Sequence, residues 1–226
     1  MCGRFTLRTP AADLAEEFEV DERPNLAARY NIAPSQDILV VRAAREGGGR
    51  EFAMPRWGLV PAWAKDPALG GRMINARAET LADKPSFREA YRARRCLVVA
   101  DGFYEWQKAP DGAKLPHHIR LGDSAPFAIA GLWETWRGPD GESLETCALI
   151  TTEANQDLAP IHHRMPAILP SQAYDAWLDV RSQPPASLLR PYPLGELTAH
   201  PVGPRVNSAR HDDAACLEEV TSGMLL

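Results

Sequence analysis

The 226-residue sequence is 45% hydrophobic and 24% charged, enough to bury a full core without disulfides, so a single domain over residues 1–226 is expected. A formal net charge of -5 gives no global attraction to phosphates, so any nucleic-acid contact has to rest on a local basic surface. The longest apolar runs, residues 96–100 and 127–133, are far short of the roughly 20 residues that span a bilayer, which excludes a membrane helix.

The opening MCGRFTLRTP lacks the continuous apolar segment of a secretory signal, so a cytoplasmic protein is expected. Thr9 offers a capping hydroxyl ahead of Pro10 and AADLAEEF, which predicts a short amphipathic helix over residues 10–18. Apolar or alternating runs predict strands at 38–42, 52–60, 96–107, 117–121, 127–136 and 146–152. Pro-Asp-Gly at 110–112 and at 139–141 predicts two hairpin turns, because proline presets the first turn dihedral and glycine accepts positive φ. Further short helices are expected at 86–91, 171–178 and 214–220. The twenty prolines, spread along the chain, break long helices. The expected fold class is α+β, with a β-rich, mainly antiparallel, barrel-like core and short peripheral helices.

The four cysteines, Cys2, Cys96, Cys147 and Cys216, form no C-x-x-C pair, which argues against a zinc ribbon and against a disulfide framework. Arg72, Arg77, Arg88, Arg92, Arg94 and Arg95 fall in one segment with Glu79, Asp83 and Glu89, either as a basic strip or as a solvated, ion-paired face.

Cys2 is chemically distinct by position. Removal of Met1 leaves an α-amine and a thiol on neighbouring carbons, a 1,2-aminothiol. The α-amine has a reference pKa of about 7.7–8.0 against about 10.4 for lysine, so a far larger fraction is unprotonated at pH 7. Such an amine attacks an aldehyde, and the adjacent thiol closes the imine to a five-membered thiazolidine.

In MINARAET, Asn75 and Arg77 share one face if the segment is extended, an amide to orient a polar group and a guanidinium to hold a phosphate; a turn or cap role for Asn75 is equally open. In ADGFYEWQK, strand alternation pairs Glu105 with Phe103 on one face and Tyr104 with Trp106 on the other. Burial would raise the Glu105 pKa and suit it to proton transfer, whereas a structural ion pair is the alternative. Trp106 is a candidate base-stacking platform or a core residue. His162, His163 and Arg164 stand at a strand entrance, and their spacing does not suit zinc.

Taken together, MCGRFTL at the start, RYNIAPS at 29–35, WGLVPAW at 57–63, NAR at 75–77, ADGFYEW at 100–106 and IHHRMP at 161–166 resemble the SRAP family, the SOS-response-associated peptidases. The resemblance spans nearly the whole chain. It implies an abasic-site processing protein that binds single-stranded DNA, near junctions with duplex, and shields the lesion through a covalent crosslink from Cys2 to the sugar aldehyde. Carried over by position, it implies that Cys2 is the nucleophile, Asn75 orients the sugar and terminal residue, Glu105 manages protons, and His162 is acid or base. His162 is preferred to His163 because the family histidine stands two residues before the arginine, here Arg164. Arg4, Arg77 and Arg164 would grip phosphates, and Trp63, Trp106 and Thr151 would help hold the DNA. No metal or organic cofactor is implied, and a monomer, nucleoid-associated when on DNA, is expected. Two other readings remain open: a cysteine-type peptidase acting on its own Met1, and a non-enzymatic reader of modified DNA.

Overall fold

The computed structural model describes residues 2–44 and 48–220. Its strands are β1 (Phe5–Leu7), β2 (Arg29–Ile32), β3 (Val40–Ala43), β4 (Arg50–Ala53), β5 (Arg56–Trp57), β6 (Asn75–Arg77) and β7 (Arg95–Ala100) in the first half. The second half adds β8 (Gly102–Lys108), β9 (Lys114–Leu121), β10 (Phe127–Arg137), β11 (Ser143–Glu153), β12 (Arg164–Pro166), β13 (Ile168–Leu169) and β14 (Leu197–Pro201). Three short α-helices lie outside them, α1 (Ala11–Glu17), α2 (Arg88–Ala93) and α3 (Tyr174–Leu178).

The strands form two sheets. The smaller runs β14-β9-β8-β1-β2 and is antiparallel throughout; the larger runs β12-β11-β10-β7-β3-β4, with β13 added to β10 and with β5 and β6 joined in parallel to β11. Both are open, so the barrel-like closure expected from the sequence is replaced by two open sheets sharing one core. Phe5 and Phe103 from the small sheet meet Trp57, Val98 and Leu149 from the large one, with the Phe5 and Trp57 rings 5.2 Å apart. Each such side chain removed from water contributes about 1.5–3 kcal/mol before ordering costs.

Both Pro-Asp-Gly segments make hairpins, joining β8 to β9 and β10 to β11, with Gly112 at φ 89° and Gly141 at φ 82°. The expected strand at 52–60 is interrupted: Pro55 separates β4 from β5, and the chain leaves the sheet after Trp57. The expected helix at 171–178 is a 3-10 turn followed by α3, and that at 214–220 is a 3-10 turn over Ala214–Leu217. Thr9 does not cap α1. Its hydroxyl is given to Asp101 at 3.1 Å, and so is its backbone N–H at 2.9 Å.

That aspartate also explains why the expected single strand at 96–107 is two strands in different sheets. Asp101 lies between β7 and β8, almost fully buried, where the chain passes from one sheet to the other. Its carboxylate accepts from the Thr6 hydroxyl at 2.6 Å, from the backbone N–H groups of Arg8 and Thr9, and from Arg8 Nε at 3.3 Å. Backbone bonds from Asp101 N to Thr6 O and from Tyr104 N to Arg4 O add to the clamp, both 3.0 Å. Gly102 is required here, since a Cβ would lie 2.2 Å from His118 Nε2 and 2.8 Å from Thr6 Oγ1. The buried His118 ring is pushed down to a pKa of about 3, chiefly by desolvation, and stays neutral.

The arginine segment does not form a continuous basic strip. Arg95 is buried and donates to the carbonyls of Tyr91, Arg92, Trp177 and Asp179, tying the ends of α2 and α3 together. Arg94 pairs with the buried Glu134 at 2.7 Å. Arg72, Arg77, Arg88 and Arg92 are the exposed members.

Asp101→Ala leaves five donors from Thr6, Arg8 and Thr9 without their acceptor, and the expected loss is about 3–5 kcal/mol of folding stability. Urea denaturation of the variant checks it; a loss under about 1 kcal/mol contradicts the assigned role.

Candidate active site

Three strands deliver the chemically interesting side chains to one place. Cys2 precedes β1 and is fully buried in the shared core, its Sγ 3.7 Å from the Arg4 carbonyl. The parallel pairing of β6 with β11 sets Asn75 opposite Leu149 and Arg77 opposite Thr151, and places Asn75 and Arg77 on the same side of an extended strand, with Ala76 buried between them. Asn75 Nδ2 donates to the Cys2 carbonyl at 2.7 Å, while its Oδ1 is buried with no partner among the described residues. An amide oxygen held dry and unpaired costs free energy, so it is poised to accept from something the site receives.

Glu105 comes from β8. Phe103 packs in the shared core, and Tyr104 and Trp106 pack in a second cluster with Val202, Val206 and Cys216, so the expected alternation holds. Glu105 itself is buried beside Cys2. Burial raises its carboxyl above the ordinary 4.5. Burial also pushes the Cys2 thiol far above its usual range, and the Glu105 charge adds to the effect, so the thiol is protonated at rest.

His162 completes the group from the loop before β12. Its Nδ1 lies 4.0 Å from Glu105 Oε1, 3.0 Å from the Arg164 N–H and 3.1 Å from the Arg164 carbonyl. The two backbone groups of Arg164 therefore serve either tautomer: Nδ1 accepts from the N–H when bare and donates to the carbonyl when protonated. Burial lowers the His162 pKa below 6.5, which favours the neutral ring at pH 7. His163 is exposed and stacks on His162 with ring centroids 4.4 Å apart.

The remaining sequence candidates are placed as follows. Arg164 is buried, and its guanidinium forms a two-pronged pair with Glu79 at 2.6 and 3.0 Å, plus a bond to the Thr151 carbonyl at 2.7 Å. That pairing lowers the Glu79 pKa. Arg77 is exposed and has no ion pair among the described residues. Arg4 Nη1 donates to Asn31 Oδ1 at 3.0 Å and to the Val206 carbonyl at 2.7 Å, a tie between β1, β2 and the C-terminal segment. Thr151 is fully buried, its hydroxyl 3.5 Å from the Ala76 carbonyl and 3.4 Å from Arg164 Nη2, so it faces the interior rather than a surface. Trp63 is 61% exposed. Trp106 is half-buried, with Nε1 donating to Asn207 Oδ1 at 2.7 Å.

A cleft of about 420 Å³ opens onto Glu105 and His162 and is lined also by Trp106, Lys114 and Asn207. Sequence reasoning missed Asp101, Glu79, Lys114 and Asn207. The Asp-Gly pair at 101–102 was a usable sign of a break, whereas the other three acquire meaning only through contacts distant in sequence. Among the described residues no group of three or more His, Cys, Asp or Glu side chains is placed to hold a metal ion, and no helix is long and apolar enough to cross a membrane.

Residues 1–209 match the family model described as SOS response associated peptidase (SRAP). The chain is 42% identical over 224 residues to the Bacillus subtilis abasic site processing protein YoqW, covering 96% of this chain and 99% of that one. It is 35% identical over 267 residues to the Gallus gallus abasic site processing protein HMCES, covering 99% of this chain and 79% of that one. Among solved structures, a Bacteroides thetaiotaomicron protein superposes with a TM-score of 0.85 at 26% identity, covering 97% of this chain and all of that one.

Because burial raises the Glu105 carboxyl, the folded protein holds a proton that the unfolded chain releases near pH 4.5. Stability from this group is therefore complete below about pH 4.5 and falls as pH rises through the raised folded value. Glu105→Gln removes that fall. The variant is expected to be more stable than wild type at pH 7, with the gap closing below pH 4.5 in paired thermal melts; a variant less stable at pH 7 contradicts the direction.

Proposed function

This chain belongs to the SOS response associated peptidase family, and we propose that it processes abasic sites in DNA by forming a covalent crosslink through Cys2. The YoqW and HMCES relatives, both named abasic site processing proteins, support the substrate. The observation that carries the chemistry is the Asn75 bond to the Cys2 carbonyl, which fixes Cys2 within electrostatic reach of Glu105.

The reaction begins once Met1 is removed and the Cys2 amine is free. The ring-opened abasic sugar presents an aldehyde; the amine adds to its carbon and water departs, giving an imine. The Cys2 sulfur then adds to the imine carbon, the thiol proton ends on the nitrogen, and a thiazolidine forms. Net, one water is lost and nothing is oxidised. The amine and thiol need no diffusion to meet, so ring closure is favoured by proximity.

Each neighbouring group has a task suited to its environment. The protonated thiol needs a base, and a carboxylate whose pKa is raised by burial takes a proton more readily than an ordinary one. Glu105 is that base. Neutral His162 exchanges a proton with the sugar oxygen, with Arg164 backbone groups accommodating either ring tautomer. Asn75 Oδ1 accepts from the substrate and relieves its own lack of a partner.

The substrate is single-stranded DNA, including strands next to a duplex junction. Arg77 grips a phosphate, and Arg164 grips a second by exchanging Glu79 for it. Trp63 and Trp106 supply stacking faces. Arg4 and Thr151 act indirectly, Arg4 by bracing the strand that follows Cys2 and Thr151 by bracketing Arg164.

Inserting one alanine between Met1 and Cys2 separates the amine from the thiol while leaving the DNA-binding surface in place. Denaturing electrophoresis with abasic oligonucleotide is expected to show adduct formation slowed by about 100-fold or more. Retained adduct formation at the wild-type rate contradicts the aminothiol mechanism.

A further inference from the structure

The β8–β9 hairpin ends in an arm that reaches past its neighbours. In β8 Gly102 and Phe103 pair with β1, and in β9 residues 117–121 pair with β14, with the Pro116 carbonyl accepting from the Val202 N–H at 2.9 Å, so Gln107 and Lys108 face Lys114 and Leu115 with no further strand beside them among the described residues. The arm is nevertheless fixed at both ends of its working face. Gln107 Nε2 donates to the Pro160 carbonyl at 3.2 Å, tying it to the loop that carries His162. Trp106 Nε1 donates to Asn207 Oδ1 at 2.7 Å, which locks the plane of the indole.

On this arm Lys108 and Lys114 stand directly opposite each other in the strand register. Both are exposed, and neither forms an ion pair among the described residues. The nearest acid in the turn, Asp111, uses its Oδ1 to accept the Ala113 N–H at 2.9 Å. Like charges directly opposite across a strand pair are destabilising, and an anion between or beside them reverses the sign. Alternation puts both lysines on the Trp106 side of the hairpin, and Lys114 and Trp106 line the same cleft as Glu105 and His162.

We infer that Lys114 and Lys108, on the side of the hairpin that carries the fixed indole of Trp106, form a cationic subsite whose ammonium groups take backbone phosphates of the strand the cleft receives. The inference rests on the reading of the cleft as a nucleic-acid site. It adds a cationic surface that the net charge of -5 conceals, on a different element from Arg77 and Arg164. The subsite is not sequence-selective, because phosphate contacts are available to every nucleotide.

Binding to undamaged single-stranded oligonucleotide, measured against salt concentration, tests the subsite without any covalent step. Each phosphate contact on a single strand contributes a slope of about -0.7 in log affinity against log salt. Lys114→Ala is therefore expected to flatten the slope by about 0.7, Lys108→Ala/Lys114→Ala by about 1.4, and Lys108→Arg/Lys114→Arg to restore the wild-type slope. The arginine variant also separates lost charge from a disturbed hairpin. Alanine variants with the wild-type slope, in a protein that still crosslinks abasic DNA, overturn the subsite alone and leave the lysines as edge protection. Wild-type protein that binds no single-stranded DNA overturns the subsite together with the reading it rests on.

Discussion

The placement of the amino terminus depends on one buried carboxylate. Asp101 sits where the chain passes from the large sheet to the small one, and it gathers Thr6, Arg8 and Thr9 from the first strand and the turn that follows. Chain ends ordinarily fray unless something ties them down. Here β1 is held between β2 and β8, three residues beyond Cys2, and the absence of a side chain at Gly102 lets the strands approach. Asn75 then fixes the Cys2 carbonyl from a different strand. The Asp101 clamp adds side-chain bonds to the backbone pairing of β1 with β2 and β8, and the Asn75 bond extends that order to Cys2.

The second constraint is the dryness of the site. Burial holds the Cys2 thiol protonated, raises Glu105 and lowers His162, so each of the three is pushed toward its uncharged form. Proton transfers among such groups need little charge separation, which suits a condensation that moves protons and releases water. Fixed charge is kept at the margin instead. Arg164 is neutralised by Glu79, Arg77 faces solvent, and Lys114 of the hairpin arm lines the cleft, with Lys108 exposed opposite it in the strand register. An acidic protein can in this way present a cationic path to a polyanion.

Much of this was legible in the residues. The two Pro-Asp-Gly turns, the long strands at 127–136 and 146–152, and the division of Glu105 and Phe103 from Tyr104 and Trp106 follow from local dihedral preferences and side-chain alternation, and the structure has all of them. What failed did so for definite reasons. Strands β5, β6 and β13 have two or three residues, too few to show a period, and they exist because β10 and β11 offer them an edge. The run at 96–107 reads as one apolar strand because both halves are buried, each in a different sheet. The arginine cluster looked like a surface feature, yet Arg95 is consumed by the local carbonyls of Tyr91 and Arg92 and by those of Trp177 and Asp179, which lie near it only after α2 and α3 pack. At the site, Cys2, Asn75, Glu105 and His162 were named through their chemistry and through the family's motifs. Their convergence comes from strand pairings that no local pattern encodes.

The central claim is that the amine and thiol of Cys2 act together on an aldehyde, and intact mass spectrometry addresses it most directly. Protein expressed with its native start, mixed with an abasic single-stranded oligonucleotide and denatured, is expected to show two changes. The free protein lacks the mass of Met1, and the adduct equals that protein plus the oligonucleotide minus one water. Protein that retains Met1 and still gains the oligonucleotide, or protein that lacks Met1 and gains nothing, contradicts the account.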